Sequence, residues 1–207
     1  LALLLAEINT ELSDQRIMRL TMRKAALVRT ESQLSQMRLL MRGLCEDVGF
    51  KNDNIQVEIG RGCENLAIAR SLLATVFLNT VSNSIKYSNL DFENAWCSFK
   101  MMFVDRDDPI WDQNRVSRKF RRNGLMMTTT DNGVGVPKDD LERVFEKETR
   151  IKNPYAVSGL GLGLYHLRRT VEALDGKVWM ISNEKDSRKT FGFSTRIFTL
   201  LPETVAR

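Results

Sequence analysis

The sequence has few histidines and cysteines, the residues that most often bind structural zinc. Among its 207 residues there is one histidine, and the three cysteines, Cys45, Cys63 and Cys97, are widely spaced with no CxxC pair. An odd number of scattered cysteines favours free thiols in a reducing compartment over a disulfide framework. The same spacing gives no reason to expect a structural zinc site.

Long hydrophobic runs are absent as well. The apolar stretch LALLLAEI at the start is followed at once by charged residues, so neither a membrane span of about 20 residues nor a signal peptide is expected. With 43% apolar and 28% charged residues, the composition is that of an ordinary globular domain. Because the chain begins with Leu1 and not with Met, we expect it to be cut from a longer protein that could itself be membrane-bound. The domain itself is expected in the cytoplasm.

The positive charge is mild and partly local. The net charge is +5, and residues 115–122 hold five cations and no acid. This basic segment is either a solvated loop or a site for an anionic partner, and the sequence leaves both open. Nothing in the charge pattern predicts nucleic-acid binding.

Hydrophobic periodicity predicts a chain in which helices and strands alternate only loosely. Helices are expected over 1–23, 31–46, 70–87 and 138–146, and a further helix follows an irregular stretch that ends at 158 and runs to about 174. Strands are expected over 25–29, 54–60, 95–104, 124–131, 177–182 and 194–201. The polar segment 105–123 between two strands is long for a hairpin loop. The pattern predicts helices packed on one face of a mixed sheet, with no doubly wound parallel sheet.

One stripe of the long helix 70–87 carries four polar side chains. Asn79 and Asn83 are four residues apart, and Lys86 and Tyr87 follow Asn83 by three and four residues. Asn oxygen atoms beside a Lys suit a magnesium-bound polyphosphate, because magnesium prefers oxygen ligands and keeps waters. The alternative is that both Asn side chains face solvent, and the helix alone does not decide.

The stretch TTTDNGVGVP follows a predicted strand and combines an acid with two glycines. Asp131, at the strand end, can accept a hydrogen bond from an exocyclic amine. Gly133 and Gly135 allow the backbone to turn sharply and to approach a ligand closely. Because Asp-Asn-Gly turns are also common in hairpins, this motif alone fits either a ligand site or an ordinary turn.

Three glycines precede the next helix in SGLGLGLYHLRRTVEALDG. Gly159, Gly161 and Gly163 would let successive backbone N–H groups face an anion, and the helix that begins there adds its N-terminal dipole. No GKS or GKT is present, so this is not a P-loop, and the spacing departs from the dinucleotide fingerprint GxGxxG. Glycines that merely allow tight helix packing are an equal alternative for the lone motif.

Taken together and in this order, NTVSNSIKY, DNGVGVP, LERVFEKETR and GLGLGL resemble the N, G1, F and G2 boxes of the sensor histidine kinase ATP-binding domain, in the GHKL or Bergerat ATPase superfamily. The resemblance covers about residues 25–202. It implies a two-layer α/β sandwich, with a mixed sheet, helices on one face and ATP between the helices and a lid. Residues 1–24 would be the end of a dimerisation and phosphotransfer helix, and 25–207 the ATP-binding catalytic domain.

The resemblance implies roles for residues of all four boxes. Asn83 would ligate Mg²⁺, Asn79 would assist at the metal or the phosphates, and Lys86 would meet the phosphates, which makes these three the expected catalytic residues. Tyr87 would lie by the nucleobase, and Asp131 would receive the adenine amino group. The other expected ATP contacts lie around the base, in the lid over 146–158 and at the phosphates: Gly133, Gly135, Arg150, Lys152, Gly159, Leu160, Gly161, Leu162, Gly163 and Thr195.

The chain departs from the family pattern at three places. Glu148 stands where the F box usually has a second aromatic residue, and the segment 105–123 is longer than the usual connection. The only histidine, His166, lies in the helix after the glycines, where the family has no phosphoacceptor. We therefore expect a packing or surface role for His166, and an acceptor histidine that is outside this chain or absent.

The branch of the superfamily is indicated by Asn79. Hydrolysing and serine-kinase branches typically have a Glu there, one helical turn before the magnesium Asn, and a neutral amide cannot act as a general base. The resemblance thus implies γ-phosphoryl transfer from Mg-ATP to a histidine of its own or a partner subunit's helix, in a homodimer that serves a response regulator. The alternative is a non-catalytic ATP-sensing or scaffold module of a receptor that lacks the acceptor.

Overall fold

A computed structural model describes residues 27–60, 62–63, 66–88, 94–114, 116–118, 121–149, 161–183 and 193–203. The helix expected over residues 1–23 lies outside these ranges, and so does most of the expected lid. No helix of the described part is long and apolar enough to cross a membrane.

The described residues form seven strands and four α-helices, in an order close to the one that periodicity predicts. The strands are β1 (Leu27–Arg29), β2 (Ile55–Ile59), β3 (Ala67–Ala69), β4 (Cys97–Val104), β5 (Gly124–Asp131), β6 (Lys177–Ser182) and β7 (Thr195–Pro202). The helices are α1 (Thr30–Val48), α2 (Arg70–Lys86), α3 (Ile110–Gln113) and α4 (Gly163–Ala173). The helix expected over 138–146 is two short 3-10 turns, Lys138–Asp140 and Arg143–Phe145.

Five of the strands form one mixed sheet in the order β2-β4-β5-β7-β6. β2 runs parallel to β4, and the other neighbours are antiparallel. The predicted mixed sheet is therefore confirmed. β1 and β3 form a separate antiparallel pair, and β3 was not expected because its three residues are too short to show an alternation.

Helix α2 is the centre of the molecule. Apart from its ends it is buried almost all round, and it packs against α1 and α4 as well as against β4 and β5. A helix that is apolar on most faces has to be covered in this way. The main core lies on the α2 side of the sheet, where alternate residues such as Phe99, Leu125 and Ile197 point toward the helices.

The opposite face of the sheet is covered as well, by one short helix and its flanking segment and not by a second layer of helices. Alternation along the strands places Met126, Phe198 and Leu200 on this far face. Helix α3 lies over them through Trp111, whose ring stacks on Trp179 with centroids 6.4 Å apart. An apolar patch of this kind needs a cover, and the insertion 105–123, which contains α3, supplies it.

Polar contacts fix the insertion in place. The Trp111 indole N–H donates to the Asp105 carbonyl at 2.6 Å. Arg121, one of the five cations of the basic segment, forms an ion pair with Asp112 and donates to the Val116 carbonyl. This arginine therefore has a structural use, and neither a solvated loop nor an anion site accounts for it.

Candidate functional site

The candidate site lies where the second half of α2, the end of β5 and the start of α4 come together. Asn79 is only 3% exposed, and its Nδ2 donates to the Thr75 carbonyl at 2.8 Å. A Cβ atom added at Gly163 would lie 2.9 Å from the Asn79 Oδ1. The amide oxygen therefore faces the first turn of α4, and the alternative of a solvent-facing side chain is wrong for Asn79.

The other three polar residues of the stripe are more accessible than Asn79. Asn83 and Lys86 are half-buried, and Tyr87 is 38% exposed. Burial lowers the pKa of the Lys86 ammonium. A bound anion would oppose that shift, because an opposite charge favours the charged form.

Asp131 is the last residue of β5, and both of its carboxylate oxygens accept hydrogen bonds. Its Oδ2 accepts a hydrogen bond from the Ser84 hydroxyl at 2.9 Å, and its Oδ1 accepts one from the Gly133 N–H at 3.0 Å. The residue is 7% exposed. Sequence reasoning missed Ser84, because its partner is 47 residues away and no local pattern reveals the contact.

The DNGVG turn packs on the end of α2. The Val134 N–H donates to the Tyr87 carbonyl at 3.0 Å, and a Cβ atom at Gly133 would lie only 2.4 Å from that same oxygen. Gly135 lies against Asn183, whose carbonyl oxygen would be 3.1 Å from a Cβ atom at this glycine. The close approaches that these glycines permit are thus to the chain's own backbone.

Thr195 lies beside Asp131 in the sheet. The two residues are directly opposite in the β5–β7 register, and the Ser194 N–H donates to the Asp131 carbonyl at 2.8 Å. Thr195 is 7% exposed. The last strand therefore reaches the same corner as the predicted adenine-binding carboxylate.

Of the loop that carries Gly159, Gly161 and Gly163, the structure describes only the end, from Gly161 onward. A Cβ atom at Gly161 would lie 2.9 Å from the Thr149 carbonyl, and its φ of +69° is one that other residues rarely adopt. Leu162 precedes α4, and its carbonyl accepts the His166 N–H. Four expected contacts lie outside the described residues: Arg150, Lys152, Gly159 and Leu160.

The F-box turn is held by a cation. Phe145 is 2% exposed, and the Arg168 guanidinium of α4 lies 4.2 Å from its ring centroid. Arg168 also bonds Glu142 at 2.9 Å. Glu148, which replaces the usual aromatic, has a positive φ of 58° and lies next to Gly161. Arg168 was not predicted, because this clamp joins residues that are far apart in sequence.

His166 lies on α4 beside Tyr165, with the two ring centroids 5.3 Å apart. Partial burial lowers the pKa of the imidazole, and the positive charge of Lys147 lowers it further. Both influences favour a neutral ring. Its packing against Tyr165 agrees with the expected packing or surface role.

The described residues hold no group of three or more His, Cys, Asp or Glu that could bind a metal ion. A magnesium ion suits the site only as a partner of phosphate oxygens, because magnesium is commonly held by one or two protein oxygens plus substrate phosphates and waters. The half-buried Asn83 amide, with the close approach of Asn79 and Gly163 nearby, fits that mode of binding.

Gly163→Ala is expected to weaken nucleotide binding. The new methyl would meet the Asn79 Oδ1 at 2.9 Å, and because Asn79 is tied to Thr75, the start of α4 has to shift at a cost of about 1–3 kcal/mol. Titration with ATP measures the loss. Gly43→Ala on α1 is the control, since nothing lies within 4 Å of its Cβ position. Equal affinities of the two variants would contradict the close contact.

Comparison with known proteins identifies relatives of this chain. The family model described as histidine kinase-, DNA gyrase B-, and HSP90-like ATPase matches residues 69–204. The adaptive-response sensory kinase SasA of Synechocystis sp. is 24% identical over 168 residues, which cover 77% of this chain and 39% of that protein. The sensor protein kinase WalK of Staphylococcus aureus is 28% identical over 132 residues, or 63% of this chain and 26% of that protein.

Solved structures show the same fold. The crystal structure of full-length ShkA in complex with AMPPNP superposes with a TM-score of 0.61 at 20% identity, over 86% of this chain and 31% of that one. The resemblance read from the four motifs is thereby confirmed. This chain spans less than two fifths of the length of the curated relatives given above.

Proposed function

Because the chain belongs to the histidine kinase-, DNA gyrase B- and HSP90-like ATPase family, we propose that it is the ATP-binding catalytic domain of a sensor histidine kinase. It transfers the γ-phosphoryl group of Mg-ATP to a histidine outside residues 1–207. The observation that carries this proposal is the buried amide of Asn79, one helical turn before Asn83.

The residue type at position 79 favours a kinase over an ATP hydrolase. A hydrolase needs a general base near the metal, and an Asn amide cannot take a proton from water. The Asn79 Nδ2 is moreover committed to the Thr75 carbonyl. Water attack is therefore unassisted, whereas a histidine imidazole is a competent nucleophile without a base.

The chain's own part in the transfer is positioning and charge neutralisation. Asn83 ligates the magnesium ion, and Lys86 and the backbone N–H groups at the start of α4 hold the phosphates. Magnesium, when bound, neutralises charge on the phosphate oxygens. Asn79 orients the metal or the phosphates through its Oδ1.

At the other end of the nucleotide, Asp131 accepts a hydrogen bond from the adenine amino group. Its carboxylate is already oriented by Ser84 and Gly133, so little ordering is left for the ligand to impose. Thr195 lies opposite in the sheet and provides a second contact. Tyr87, partly exposed at the end of α2, lies by the base.

The partners of this domain follow from the same proposal. Residues 1–24 are the end of the dimerisation helix, and residues 25–207 are the catalytic domain. The acceptor histidine lies on the phosphotransfer helix of the same or the partner subunit in a homodimer, and a response regulator takes the phosphoryl group. The domain works in the cytoplasm, whether or not the full-length protein is anchored in a membrane.

A second candidate function is an ATP-sensing or scaffold module. It is favoured by one observation, that His166 is the only histidine of the chain and is held by packing on α4. In that case nucleotide binding is retained and phosphotransfer is lost. A His-Glu or His-Asp pair upstream in the full-length sequence would favour the kinase.

Binding is the first test of the proposal. Calorimetric titration of the chain with a non-hydrolysable ATP analogue and magnesium is expected to show one saturable site per chain, because residues of the N, G1 and G2 boxes meet at one corner of the fold. Repeating the titration with a pyrimidine triphosphate controls for binding through the phosphates alone. No detectable binding at millimolar analogue would reject both candidate functions.

A further inference from the structure

Ser84 uses its hydroxyl differently from Thr80 on α2 and from Ser88, which lies two residues after the end of that helix. Thr80 donates to the Val76 carbonyl at 2.8 Å, and Ser88 donates to the Ile85 carbonyl at 2.7 Å. Ser and Thr hydroxyls in and near helices often bond to a backbone carbonyl of the preceding turn in this way. Ser84 donates instead to the Asp131 Oδ2 at 2.9 Å, across to the end of β5.

The contact is buried on both sides. Ser84 is 3% exposed and Asp131 is 7% exposed. A hydrogen bond from a hydroxyl to a buried carboxylate is stronger than one between neutral groups, because one partner is charged. Loss of the Ser84 hydroxyl would therefore leave a buried charged oxygen without that donor.

Two donors fix the plane of the carboxylate. The Gly133 N–H holds the Oδ1 at 3.0 Å, and Ser84 holds the Oδ2. Without Ser84, the Oδ2 would lose its hydrogen bond from α2, and rotation of the carboxylate about its bond to Cβ would be less restricted. An ionised carboxylate offers a ligand only acceptor sites, so a fixed plane means that a donor on the ligand must approach from one direction.

Ser84 also links the two ends of the site. It follows Asn83 directly in the sequence, so one turn of α2 carries both the expected magnesium ligand and the hydroxyl that orients Asp131. The α2 segment around them is almost wholly buried. The distance between the two recognition points is therefore set by one rigid helix and not by loops.

We propose that Ser84 is a positioning residue that sets selectivity for a purine with an amino group at C6, by holding the Asp131 carboxylate in the plane that receives that group. The proposal rests on the proposed function, in which Asp131 meets the base. A 6-oxo purine presents an acceptor at that point and is rejected, since two acceptors then face each other.

The test compares Ser84→Ala with wild type for two ligands, Mg-ATP and the magnesium complex of purine riboside 5′-triphosphate, which lacks the amino group. We expect the variant to bind ATP about tenfold more weakly, the size of one lost hydrogen bond to a charged group. Its affinity for the purine riboside ligand is expected to stay within about twofold of wild type. A merely structural role of Ser84 would lower both affinities alike.

Ser88→Ala is the matched control, because it removes a buried hydroxyl just after the end of α2, and that hydroxyl bonds to the Ile85 carbonyl and not to Asp131. It is expected to leave the preference for ATP over the purine riboside ligand unchanged. Ser84→Cys, with a weaker donor of similar size, is expected to fall between wild type and Ser84→Ala. This variant decides the matter if Ser84→Ala does not fold.

Equal losses for both ligands, or no loss for ATP, would overturn the role of Ser84 alone. Failure of the wild-type chain to bind ATP would overturn the proposed function and this inference with it. The two failures are therefore told apart by the wild-type titration.

Discussion

Asn83→Ala is expected to weaken Mg-ATP binding by about 10- to 150-fold, the equivalent of losing an interaction with a charged group worth about 1.5–3 kcal/mol. The amide is half-buried on α2, one turn after Asn79. Magnesium depends on few protein oxygens when phosphates supply the rest, so removal of one is not compensated nearby.

The same titration with EDTA in place of magnesium shows whether Asn83 acts through the metal. Without magnesium, wild type and Asn83→Ala are expected to bind ATP equally weakly. Asn83→Asp, which keeps an oxygen at the same position, is expected to retain more of the magnesium-dependent affinity than Asn83→Ala. A loss of equal size with and without magnesium would contradict the ligand role, and an unchanged thermal unfolding temperature excludes a folding defect.

Periodicity and turn residues were sufficient for most of the fold. β5 spans Gly124–Asp131 as the sequence predicts, because an apolar and threonine-rich segment between a polar loop and an Asp-Asn-Gly turn has clear ends. Helix α2 begins at Arg70 and ends at Lys86, one residue before the expected end. Local chemistry determines these elements, so they can be recognised locally.

The cover over the far face of the sheet could not be predicted in the same way. The insertion 105–123 is polar over much of its length, and its apolar anchor, Trp111, meets Trp179 from a strand almost 70 residues later. A hint was present in β5, where Leu125, Met126 and Met127 are consecutive apolar residues. Such a run is typical of a strand that is buried on both faces.

The residues of the candidate site also fall into those that local sequence could predict and those that it could not. Residue types with a direct chemical use, such as Asn83, Lys86 and Asp131, could be named from the four motifs. Ser84 and Arg168 could not, since each acts through a partner that only the fold brings close. The orienting contacts around a site are for this reason harder to predict than the groups that meet the ligand.

The second large effect that the proposed function predicts is the appearance of phosphotransfer when the chain is joined to the proposed phosphotransfer helix. The chain alone has neither a base for water nor an imidazole suited to the reaction, since Asn79 is an amide tied to Thr75 and His166 is packed beside Tyr165. We therefore expect slow ATP hydrolysis and no self-labelling. Under the proposed function, a longer chain that includes the phosphotransfer helix supplies the acceptor histidine.

Incubation with ATP labelled at the γ-phosphate tests the kinase assignment most directly. The extended chain is expected to acquire an acid-labile, base-stable label, as a phosphohistidine does, while the chain of residues 1–207 stays unlabelled under the same conditions. Substitution of the upstream histidine is expected to abolish the label, and His166→Gln is expected to leave it unchanged. Label on His166 itself, or an extended chain that contains an upstream histidine and binds ATP but takes no label, would contradict the account.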